Sequence, residues 1–129
     1  MDYGGKKNGY STIPVPEKVG SAQLQQHFKE TYKLDEVEAK TLVVSSSKSL
    51  IEFLEIAESV LEKKCQGVSP EKIQELAHRG KGLFLIMGQE EWALYINALN
   101  RSDPDKIYDS IQTVVNHVRE SFSDIIMMG

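Results

Sequence analysis

The chain has 129 residues, of which 40% are hydrophobic and 26% charged, enough for one domain with a real core but too few for two. A formal net charge of −4 argues against nucleic acid, which selects a basic face. The longest apolar run, Leu83 to Met87, is far short of a membrane span, and no export signal is evident. Cys65 is the only cysteine, so an internal disulfide is excluded and a reducing, cytoplasmic setting is expected.

Residues 1–20 combine Gly4, Gly5, Gly9, Pro14 and Pro16 with almost no periodicity. This predicts a flexible N-terminal arm that packs locally through Ile13 and Val15. Residues 21–129 are expected to form the folded domain. Ser21 is placed to cap a short helix with Leu24 and Phe28 facing inward and His27 beside them on the surface. Asp35, Glu36 and Glu38 resemble a first helical turn, and a helix here is expected to break at Ser45-Ser46-Ser47. From Lys48 the residues Leu50, Phe53, Leu54, Ala57, Val60 and Leu61 follow helical spacing, with Gly67 just past the end.

The next helix has the clearest start: Ser69 as N-cap, Pro70 at the first position and Glu71 at the positive end of the dipole. Gly88 ends it. Gln89-Glu90-Glu91 then opens a helix with Trp92, Tyr95, Ile96 and Leu99 on its apolar face. Asp103-Pro104-Asp105 is a restart signal with Asp103 as cap, and Ile107, Ile111, Val114, Val115, Val118 and Phe122 form the cleanest stripe of the chain. His117 flanks that stripe and is expected to be solvated. Ile125 to Met128 would extend this helix or cover a neighbour. The fold class is therefore all-α: an antiparallel up-and-down four-helix bundle with one or two additional N-terminal helices.

In the Ser69–Gly88 helix, Ile73, Leu76, Ala77, Gly80, Leu83, Phe84 and Met87 form one stripe. At roughly 100° per residue, His78 lies about 160° from its centre. Glu71, Glu75, Gly82 and, more loosely, Leu85 share that outer side, and Arg79 borders it. Lys81 lies three residues on, within reach of a group bound to the imidazole. A helical glycine costs roughly 1 kcal/mol relative to alanine, and this helix holds two. Gly80 is expected to permit close packing at the core and Gly82 to leave the imidazole uncovered.

His78, then Lys81-Gly82 after two residues, then Gly88 after five more, resembles the signature of histidine-containing phosphotransfer (HPt) domains. The resemblance runs from about Ser47 to Phe122, and Trp92, Ile96 and Leu99 sit at the apolar positions expected on the following helix. Gly80 stands where the family usually has leucine, and Asn100 where an acidic residue often follows. The resemblance implies that His78 accepts a phosphoryl group from a receiver-domain aspartate and passes it to another receiver. Lys81 would supply positive charge to the phosphoryl oxygens, and Glu75, Arg79, Gly82 and Leu85 would meet the partner. Response-regulator receivers, and a hybrid sensor kinase among them, are the implied partners, with magnesium on the receiver and no cofactor held by this chain.

The residues agree with that chemistry. An ordinary imidazole titrates near 6.5, leaving a competent neutral nucleophile at pH 7, and phosphoryl transfer asks mainly for positioning and charge. No Gly-rich phosphate loop is evident, so the chain is expected to relay phosphate rather than act as an autophosphorylating kinase, and to be a monomer. The alternative is an adaptor: a helical bundle that binds a receiver or another regulator without carrying phosphate.

Overall fold

The computed structural model describes residues 14–67 and 69–128. Most of the expected arm, including Gly4, Gly5, Gly9 and Ile13, lies outside them, as does the Cys65 side chain. Among the described residues every regular element is helical: α1 (Ser21–Tyr32), α2 (Glu36–Glu62), α3 (Pro70–Ile86), α4 (Glu90–Asn97), α5 (Ile107–Ser121) and α6 (Ser123–Ile126), with short 3-10 turns between them. None of these helices is long and apolar enough to cross a membrane.

α2 is the longest element, 27 residues or about 40 Å, and α1, α3, α5 and α6 all lie against it. Its start is a capping box. The Asp35 carboxylate accepts from the Glu38 amide at 2.8 Å, and the Glu38 carboxylate accepts from the Asp35 amide at 3.1 Å. The expected break at Ser45-Ser46-Ser47 does not occur. Serine costs a helix only about 0.5 kcal/mol, and the inward spacing runs unbroken from Ala39 and Val43 through Ser46 and Ser47 to Leu50 and Phe53. Ser47 is fully buried, and its hydroxyl donates to the carbonyl of Ile126 at 3.1 Å. A small residue there lets α6 approach closely while its polar atom stays paired.

Two other expected side-chain caps are absent. Gly20, not Ser21, is the N-cap of α1. The Ser21 amide donates to the Asp124 carboxylate at 2.6 Å, so α6 supplies the anion at the positive end of α1. Asp103 makes no side-chain cap either. Pro104–Lys106 forms a 3-10 turn, and α5 begins only at Ile107.

Gly88 ends α3 as expected, in the left-handed region with φ +74°. The Gly88 amide donates to the Leu85 carbonyl and the Gln89 amide to the Phe84 carbonyl at 2.8 Å, which is the paired bonding of a Schellman turn. The His27 ring lies so close over Gly88 that an added Cβ would fall 2.3 Å from it. His27 is therefore half-buried between α1 and the α3–α4 turn, not a free surface group.

An aromatic cluster fills the core. Phe122 contacts Phe84 and Trp92 with centroids 5.1 and 5.0 Å apart, and Phe53 meets Phe84 edge-on. Trp92 donates to the Glu17 carbonyl at 3.0 Å, and the Val19 amide donates to the Ser121 carbonyl at 3.0 Å. Val19 is buried whereas Val15 is 43% exposed, so the described part of the arm is held through Val19. His117 is also tied down: its Nδ1 is hydrogen-bonded to the hydroxyl of buried Tyr95. Burial pushes that hydroxyl up to about 12, because the phenolate would be poorly solvated.

The Ser21 amide and hydroxyl hold the Asp124 carboxyl below the usual carboxylate range, with Lys18 adding to this. A carboxyl depressed on folding contributes stability above its unfolded value, about pH 3.9, and loses it as pH falls through the folded value. Asp124→Ala should therefore lower the melting temperature at neutral pH, and the gap from wild type should close as acid protonates the carboxylate. Thermal melts from about pH 7 to 2 check this; a gap that widens in acid would contradict the cap.

Candidate functional site

Ser69 caps α3, its hydroxyl accepting from the Lys72 amide at 3.3 Å. Ile73, Leu76, Ala77, Gly80 and Phe84 form the buried face. Arg79 reaches Glu52 of α2 while Ser69 lies near Lys63; toward α4, Gly80 touches Ile96 and Ile73 lies near Leu99.

The two glycines separate as their phases predict. A Cβ on Gly80 would stand 2.7 Å from Ile96 Cγ2 and 2.8 Å from Phe53 Cε1, and both partners are fully buried. Gly80 is a contact point among three helices. A Cβ on Gly82 would meet nothing within 4 Å.

Anchoring Gly80 in the core turns His78 outward. His78, Gly82, Glu75 and Arg79 are exposed, Lys81 is half-buried and Leu85 is 48% exposed. Neither the His78 nor the Lys81 side chain has a hydrogen-bond or ion-pair partner among the described residues. Glu75 and Arg79 are occupied loosely, each at 3.9 Å from its partner: Glu75 by Lys72 and Arg79 by Glu52. These six residues form one outer surface of α3, with His78 and Gly82 in the middle and Lys81 at the edge facing away from α2. His27 and His117 lie elsewhere, each in contact with other elements of the fold.

Sequence reasoning missed two parts of this surface. Ile86 is 57% exposed beside Leu85 and extends the apolar end of the face; its phase, about 80° from His78, was readable. Glu52, which holds Arg79, comes from α2 and is visible only once the helices are placed.

Chemically, the face offers an accessible imidazole on a rigid helix, a half-buried cation three residues away that is unpaired among the described residues, open space one turn on, and an apolar patch beyond. Gly80→Ala should destabilise the protein by about 1–3 kcal/mol through overpacking, whereas Gly82→Ala should stabilise it by up to about 1 kcal/mol through helix propensity. Urea unfolding of both variants measures the difference, and equal effects would show that the two sites are not distinct.

No family model, curated protein or solved structure matches the chain.

Proposed function

We propose that this protein is a phosphorelay carrier: His78 accepts a phosphoryl group from the phosphoaspartate of a receiver domain and delivers it to a second receiver. The observation that carries the reading is the pairing of exposed His78, unpartnered among the described residues, with open Gly82, on a helix whose sequence resembles the HPt signature. In this reading α2 to α5 are the four helices of the up-and-down bundle, and α1 is the additional N-terminal one.

Transfer begins with attack by an unprotonated ring nitrogen of His78 on phosphorus. The nitrogen–phosphorus bond forms as the acyl-phosphate bond to oxygen breaks, and the receiver's carboxylate leaves. Lys81 supplies positive charge beside the phosphoryl oxygens, where a water-excluding interface makes it worth more than in bulk solvent. Magnesium held by the receiver would offset charge on the receiver's side, leaving Lys81 to act from this chain. Gly82 leaves room for the partner's site to close over the imidazole. Leu85 gives it an apolar contact, and Glu75 and Arg79 border the face with charge. The reverse sequence, with a fresh receiver, discharges the carrier.

The test is incubation with a phosphorylated receiver and assay for acid-labile, base-stable phosphate. Wild type, His27→Gln and His117→Gln should label, each compared at equal folded fraction, and His78→Gln should not. Labelling of His78→Gln would refute the assignment; receiver binding with no labelling of any form would favour the adaptor.

Variants at the flanking positions measure the geometry. Lys81→Ala should slow transfer by roughly tenfold or more, the loss of one charge-assisted contact, with little change in melting temperature. Gly82→Gln should fold normally and slow transfer by obstructing the receiver. Wild-type rates for both would remove Lys81 from the chemistry and Gly82 from the docking surface.

A further inference from the structure

α4 carries an apolar side chain on the side away from α3. Ile96 faces Gly80 of α3. Leu94, two residues earlier and so about 160° round the helix, points outward with 67% of its surface exposed. An open groove of about 480 Å³ runs there between α4, with its 3-10 extension Ala98–Arg101, and the segment before α1. Pro14, Val15 and Pro16 line the groove on that second side, and Val15 is 43% exposed. Two of these three residues have no backbone N–H, so an apolar partner laid against them strands few donors.

The charges at the two ends of the groove are opposite. Glu91 lines one end and Arg101 the other, ten residues or about 15 Å along. Both are exposed, and neither side chain has an ion-pair partner among the described residues. Glu17, whose carbonyl is held by the indole of Trp92 next to Glu91, adds a second carboxylate to the lining. Between the charges lie exposed Leu94 and, one turn on, Ala98, which is small and 6% exposed.

That order is symmetric about position 96. Glu91 and Arg101 stand five residues to either side of it, and Leu94 and Ala98 two. A two-fold axis at this level would set Glu91 of each copy against Arg101 of the other, and the large Leu94 of each over the small Ala98 of the other. Such self-complementarity is what an isologous contact requires. One strip therefore supplies both halves of the charge pairing, and a second copy of the chain is the occupant that matches it.

We propose that this groove is a self-association surface, across which two copies of the chain pack their α4 helices antiparallel about a two-fold axis. α3 lies on the opposite side of α4 in each copy, so both His78 faces stay open. The contact goes beyond the phosphoryl-transfer reading and does not rest on it. The strip is short beside permanent dimer interfaces, which bury more than about 2,000 Å², so a dissociation constant of roughly 10–100 µM is expected.

Sedimentation equilibrium of the full chain from about 5 to 500 µM tests this. The average mass should rise from monomer toward dimer, and less so as salt increases. Leu94→Gln, at an exposed position where folding is unaffected, should weaken association at least about tenfold. Glu91→Arg alone and Arg101→Glu alone should each weaken it as well. Mixed in equal amounts, those two variants should associate about fivefold or more tightly than either does by itself. One copy then carries positive charge at both ends of its α4 strip and the other negative, which only antiparallel pairing between copies can satisfy. A chain that stays monomeric to about 0.5 mM would leave the groove to another occupant and overturn the proposal. So would a dimer indifferent to Leu94→Gln, or a mixture no tighter than its components.

Discussion

The packing of α3 rests on a missing side chain. At Gly80 the helix backbone comes so near Phe53 of α2 and Ile96 of α4 that a single methyl would overlap both. Bare backbone here lets three helices meet at one level, and the fully buried Phe53 and Ile96 cannot retreat to make room. Because α3 is a rigid rod with roughly 100° between residues, fixing Gly80 inward also fixes its neighbours. His78 two residues earlier and Gly82 two residues later are both carried outward. The exposed imidazole is thus a mechanical consequence of the close packing at Gly80.

The segment just before α1 and the helix α6 secure this arrangement from the other side. The strap before α1 is tied to Trp92 by its indole and to Ser121 by the Val19 amide. α6 caps α1 through Asp124 and receives the Ser47 hydroxyl. These bonds link segments far apart in sequence around the Phe84–Trp92–Phe122 cluster. None involves the outer surface of α3. The division leaves the His78 face free of structural duties, bordered by ion pairs that are long and exposed.

Much of the candidate site was legible because it lies on one helix. A single periodic pattern placed Ile73, Leu76, Ala77 and Phe84 inward and His78, Gly82 and Leu85 outward, and it distinguished two glycines separated by one residue. The same reasoning failed where a second element decides. Three consecutive serines read as a break, yet Ser46 and Ser47 are buried and helical because α6 lies over them. His117 read as a solvated flank, yet the Tyr95 hydroxyl meets its ring from α4. Asp103 had the composition of a cap, and the chain instead took a 3-10 turn before α5.

Sequence alone determined the helical class, the limits and inward stripe of α3, its Ser69 cap, its Gly88 stop, and the phase of every residue on its outer face. Those depend on local hydrogen bonding and on spacing along one chain segment, which are properties of neighbouring residues. Tertiary structure alone decided that α2 runs unbroken, that Asp124 caps α1, that His27 closes over Gly88, and that Glu52 of α2 meets Arg79 of α3. Each of these joins residues from different elements. Such pairings depend on how the helices lie against one another, and helical periodicity holds no information about that.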